Sequence, residues 1–144
     1  MDRPLAILLL FLLAAPSATA QSLTPIGVWQ DASSRIWVEI APCGAQLCGK
    51  IVWFKSPNNA QGEPLLDLKN TDPALRRRSL LGLTILTGLR RADENRWVDG
   101  KIYNPQDGVN YEALITIQDN GDLRLRTYVL LPLFGKTRIW TRIG

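Results

Sequence analysis

Apolar residues return at every second position through most of this chain, and that period constrains the fold more than any other feature. A strand points successive side chains to opposite faces, so alternation marks a half-buried strand, whereas an amphipathic helix repeats every three to four residues. Eight segments carry the strand period: 27–31, 35–41, 47–54, 80–89, 96–103, 110–118, 122–129 and 135–142. In the second, Ile36, Val38 and Ile40 share one face, and Arg35, Trp37 and Glu39 the other. Turn chemistry separates the later segments at 93–95, 104–108 and 119–122, each rich in Asp, Asn or Gly. Between the third and fourth lies 55–70, rich in Pro, Asn and Gly, followed by 71–78, which reads as one short helix. Thr71 or Asp72 caps that helix, Pro73 suits its first positions, and Arg76, Arg77 and Arg78 lie near its negative end. The arginines are expected at a solvated helix end, with at least one pairing to a sheet carboxylate. Eight antiparallel strands must hide two edges, and closure into a barrel does so; a two-sheet sandwich is the competing arrangement.

The chain opens with Arg3, a run of apolar residues from Leu5 to Ala15, and the small-residue pattern Ala18-Thr19-Ala20. These are the parts of a secretory signal, so residues 1–20 are expected to be removed. The apolar run is shorter than the roughly 20 residues that span a bilayer, which argues against a transmembrane anchor. Residues 21–144 then supply chain for one domain, expected in the periplasm or secreted. The net charge of +4 is modest and dispersed, and no basic stripe alternates with aromatics, so nucleic acid is not an expected partner.

The chain holds no histidine. That removes the commonest metal ligand and the commonest general base, so no metal, cofactor or catalytic residue is assigned. Its two cysteines, Cys43 and Cys48, lie between two strand-like segments with four residues between them. In an oxidising compartment they read as one structural disulfide; the C-x-x-x-x-C spacing departs from the C-x-x-C of redox pairs.

Separate pieces of the sequence together carry a family likeness. They include Gly27-Val28-Trp29, Leu47-Cys48-Gly49-Lys50-Ile51-Val52-Trp53, Asn70-Thr71-Asp72, Trp97-Val98-Asp99-Gly100-Lys101-Ile102-Tyr103-Asn104-Pro105, Asp107-Gly108, Tyr111 and Trp140-Thr141-Arg142. The chain resembles the family called domain of unknown function 2147, exported bacterial proteins with no established activity. The resemblance implies an all-β fold, an eight-stranded antiparallel lipocalin-like (calycin-like) barrel, here with one short helix between strands 3 and 4. Ser79-Leu80 departs from the family pattern, in which Arg-Pro-Leu follows the helix. Gly27-x-Trp29 is also similar to the first-strand signature of lipocalins, in which an arginine of the last strand packs across the tryptophan. Arg142, or else Arg138, is the candidate partner; Trp29 as a plain core residue is the other reading.

Candidate ligand contacts follow from the alternation. A barrel interior lined by Trp53, Trp97, Ile115 and Leu125 would accept a small apolar or amphipathic molecule. The hairpin from Asp99 through Tyr103 and Asp107 to Tyr111 gathers polar groups suited to the rim of such a site, with Trp97, Asp99, Lys101 and Tyr103 expected on one face. The competing reading makes Asn104-Pro105 and Asp107-Gly108 turn chemistry alone. The apolar segment 129–135, with Leu131, Leu133 and Phe134, is unusual for a connection and is a candidate lid, lipid contact, or interface for an envelope protein or a second copy. A glycan hydrolase drawing its carboxylates from Asp99, Asp107 and Glu112 is the third possibility; it would need two of them facing one bond.

Overall fold

The computed structural model describes residues 10–17 and 23–143. The expected cleavage point after Ala20 and most of the preceding signal lie outside the described residues. Among the described residues, no helix is long and apolar enough to cross a membrane.

The alternating segments form β1 (Gly27–Gln30), β2 (Ile36–Cys43), β3 (Gln46–Phe54), β4 (Thr84–Asp93), β5 (Arg96–Asn104), β6 (Val109–Ile117), β7 (Leu123–Tyr128) and β8 (Lys136–Arg142). Each pairs antiparallel with the next, and β8 pairs with β1, so the sheet closes into a barrel. Closure satisfies both edges, and the inward faces form one core that includes Trp29, Val38, Ile40, Leu86, Leu89, Ile115 and Leu125.

Three local features differ from expectation. The helix expected over 71–78 is a single 3-10 turn, Pro73–Leu75, whose first amide is capped by the Asp72 side chain at 2.9 Å. The fourth strand starts at Thr84 rather than residue 80. Residues 79–83 are spent on irregular contacts, with Leu80 N–H donating to the Leu65 carbonyl and Gly82 N–H to that of Ile51. The segment 129–135 contains a second 3-10 turn, Pro132–Phe134.

Register shifts interrupt the β2–β3, β3–β4, β4–β5 and β5–β6 pairings, and those in β3 and β5 bear on the expected site residues. Trp37 faces Trp53 while Val38 faces Ile51, so Val52 is an extra residue in β3. Trp97 faces Ile115 while Gly100 faces Ala113, which leaves an extra residue in β5 beside Asp99, itself at φ 59°. Such bulges turn later side chains to the opposite face. Gly100 faces inward after the bulge, and only glycine fits there, since a Cβ would lie 2.6 Å from Leu89 Cδ2. Cys43 and Cys48 are joined as a disulfide across the β2–β3 turn, with Cα atoms 5.7 Å apart.

The β1–β8 seam is short, pairing only Trp29 with Arg142 and Gln30 with Thr141. Its side chains reinforce it. The Arg142 guanidinium carbon lies 4.3 Å from the Trp29 ring centroid. Arg142 also donates to the carbonyls of Ile26 and Thr24 at 2.9 and 2.6 Å, and Trp29 Nε1 donates to the Pro25 carbonyl at 2.8 Å. Replacing Arg142 by Met keeps the aliphatic bulk and removes the charge and both donors. This variant is expected to lower the unfolding free energy by about 2 kcal/mol, read as a reduced urea midpoint. An unchanged midpoint would mean that strand pairing alone closes the barrel.

Candidate functional site

The open end of the barrel is a cup of about 940 Å³. Ile51, Ile85, Ile102, Leu125 and Trp140 supply its buried apolar surface. Its rim is built from the β1–β2 turn, the long β3–β4 connection, the β5–β6 turn and the β7–β8 connection, through residues such as Asp31, Lys55, Asp107 and Phe134. A space of this size and character suits a small molecule with a substantial apolar part.

Of the candidate contacts, Tyr103, Asp107, Tyr111 and Leu125 line this cup. Trp97 and Ile115 are buried in the packed core and do not line it. Trp53 is a correction: the extra residue at Val52 turns it outward, where it stacks on Trp37 with ring centroids 4.6 Å apart, and Ile51 takes the inward position. Asp99 is the second. The β5 bulge separates it from Trp97, so the two do not share a face, and Asp99 forms an exposed ion pair with Arg90. Phe54 and Trp140, absent from the sequence-derived set, are both cup residues. Phe54 follows from the same bulge, and the Lys136, Arg138, Trp140 alternation of β8 carried the signal for Trp140.

The three carboxylates considered for hydrolysis are not gathered on one site. Glu112 pairs with Lys101 at 2.7 Å, on β5 and β6 positions that face away from the cup. Asp107 stays at the rim, where it accepts from the Tyr111 hydroxyl at 2.7 Å, the Val109 amide at 2.9 Å and Asn104 Nδ2 at 3.1 Å. Burial works to raise the Asp107 pKa, but these donors outweigh it and hold the carboxyl below its ordinary value. The hydrogen bond to Asp107, with burial, pushes Tyr111 above its own. Asp31 across the mouth behaves alike: burial opposes ionisation, and donors from Ser33, Ile36 and Arg35 more than compensate. Both rim carboxylates are therefore committed to turns.

One wall of the cup comes from the β3–β4 connection, which is fastened to the barrel by Asp67. This carboxylate is fully buried. It accepts from the Tyr103 hydroxyl at 2.6 Å, Asn70 Nδ2 at 2.8 Å and Arg78 Nε at 2.8 Å. The arginine expected to reach a sheet carboxylate thus pairs within its own connection, and Arg76 instead donates to the Asn70 carbonyl. Gly108 closes the same joint, since a Cβ there would meet the Lys69 carbonyl oxygen at 2.0 Å. Sequence reasoning passed over Asp67; its signal was a single carboxylate inside Leu65-Leu66-Asp67-Leu68, where apolar neighbours imply burial and hence a partner.

The opposite wall ends in the β7–β8 connection, held from beneath by Arg126. Its guanidinium donates to the carbonyls of Pro132 and Leu133 and to the Thr137 hydroxyl. Thus fixed, the connection places Val129 and Phe134 at the cup and leaves Leu131 and Leu133 largely exposed.

The family model described as "Uncharacterized protein conserved in bacteria (DUF2147)" matches residues 27–142. Among solved structures, the chain is similar to protein HP1028 from the human pathogen Helicobacter pylori, described as belonging to the lipocalin family. The two share 25% identity and a TM-score of 0.75, over 85% of this chain and 84% of that one. No curated protein matches the chain.

The Asp67 joint generates a pH prediction. Burial raises the Asp67 pKa and its three donors lower it by more, so the folded value lies below the ordinary one. Its contribution to stability is then complete above the ordinary carboxylate range, and is lost as pH falls through the depressed folded pKa. Burial and the bond to Asp67 push Tyr103 upward, so its contribution is complete below the ordinary tyrosine range and is lost as pH rises through the raised value. Asp67→Ala is expected to cost about 3 kcal/mol at neutral pH and to flatten both limbs of the stability–pH curve, measured by denaturant titration. Unaltered limbs would mean that other groups set them.

Proposed function

Since the chain belongs to the DUF2147 family of bacterial proteins and folds as a lipocalin-like barrel, we propose that it binds one small apolar or amphipathic molecule in the cup. The observation that carries this reading is the cup itself: about 940 Å³ left open above a core otherwise packed to closure. Interiors normally fill such space with side chains, and an unfilled apolar recess forfeits contacts that a ligand restores. We infer also that the protein acts outside the cytoplasm, in the periplasm or secreted, after removal of residues 1–20. The Cys43–Cys48 disulfide and the composition of the leader support that placement.

Native mass spectrometry of protein purified from the periplasm tests the reading. The expected result is a stoichiometric small molecule that is retained in the native state and released on unfolding. Leu125→Trp, which narrows the cup at its apolar floor, is expected to reduce the retained mass while the barrel stays folded by circular dichroism. An empty wild-type protein that also takes up no added amphipath would overturn the proposal.

A second reading rests on the β7–β8 connection. Leu130, Leu133 and Phe134 are 85%, 79% and 76% exposed. A contiguous apolar patch beside a binding mouth suits docking to an envelope protein or a second copy. Leu131→Asp with Leu133→Asp leaves the cup lining intact and is expected to abolish such association, followed by sedimentation velocity, without changing ligand uptake. A wild-type protein that stays monomeric at high concentration removes the second copy from this reading.

A further inference from the structure

The inner face of β8 departs from the rest of the cup. Trp140 points inward and is buried, so alternation turns Arg138 and Lys136 inward as well, opposite Leu125 and Thr127 of β7. All four residues line the cup. Arg35 and Lys55 join them at the rim, brought side by side where the Lys55 amide donates to the Arg35 carbonyl at 2.8 Å. The strand order places these four cations on one arc of the mouth, β8–β1–β2–β3. Two carboxylates also line the cup, Asp31 and Asp107, and both are committed to their own turns. Among the described residues, none of the four cationic side chains forms an ion pair, whereas three cations of the outer wall, Lys50, Arg90 and Lys101, do.

We propose that this arc selects an anionic head group, so that the ligand of the cup is a single-tailed amphipath with a carboxylate or phosphate at one end and its chain laid against Ile51, Ile102 and Trp140. The inference rests on the ligand-binding reading and specifies the ligand class. Arg138 is the nearest of the four to the apolar floor, one alternation step above Trp140, and its planar fork suits two oxygens of one head group. Lys136, Arg35 and Lys55 sit further out and supply attraction to the entering anion. The Thr127 hydroxyl, beside Lys136 in the register, adds a neutral donor.

Titration calorimetry with amphipaths of one tail length, below their micellar concentrations, tests this. Dodecanoate and dodecyl phosphate are the anionic probes, dodecyl maltoside the neutral one and dodecyltrimethylammonium the cationic one. At least one anionic probe is expected to bind about tenfold or more tightly than the neutral one, with the preference shrinking as salt is raised. The stronger of the two anions identifies the head group as a fatty carboxylate or a phosphate monoester. Arg138→Met is expected to bring anionic and neutral affinities within about twofold while neutral binding persists, which also reports that the barrel is folded. Arg35→Glu, at the exposed rim, serves where Arg138→Met does not fold, and is expected to weaken anions selectively. Equal binding of anionic and neutral probes would overturn the head-group inference and leave the ligand-binding reading standing. No binding of any probe would overturn both.

Discussion

The barrel depends on one short seam. Seven of its eight strand pairings join neighbours in sequence, all but β3–β4 through short connections, whereas β1 and β8 are brought together from opposite ends of the domain and share only two paired positions. Arg142 compensates by acting in three directions at once, over the Trp29 ring and onto two carbonyls of the segment that precedes β1. Without that seam the sheet would present two open edges and an unsealed core, and the cup would lose the wall that β8 provides.

The cup is shaped by what happens to its polar groups. Every buried side-chain polar atom among the described residues has a partner, and the rim carboxylates satisfy turns rather than facing the space they enclose. The connections above the barrel are held by the same economy: Asp67 gathers Tyr103, Asn70 and Arg78 on one side, and Arg126 holds the β7–β8 connection on the other. The mouth is thereby braced by two hydrogen-bonded joints rather than by apolar packing, so its apolar surface remains available. The cations of β8 and the neighbouring rim then stand without an ion-pair partner among the described residues.

The strands were legible because a pleated strand imposes a period of two on any chain that buries one face, and no partner need be known to read it. Their boundaries agree closely with the structure except in β4, whose start is displaced by the contacts of residues 79–83 and which runs on to Asp93 rather than ending at residue 89. Tyr111 and Leu125 could be placed at the cup for the same reason. Trp53 and Asp99 could not, because a bulge depends on the register of a neighbouring strand and leaves no local mark in the sequence. Asp67 escaped for a related reason: its partners lie 3, 11 and 36 residues away, and only folding brings them to one carboxylate.

What this sequence determined by itself was therefore periodic or local: eight antiparallel strands, the turns between most of them, a cysteine pair across one hairpin, and a composition without histidine. What the tertiary structure alone decided was which face each residue keeps after a bulge, which charges meet a partner, and how much space remains inside. Those quantities arise from contacts between residues far apart in the chain, and a one-dimensional period carries no information about them.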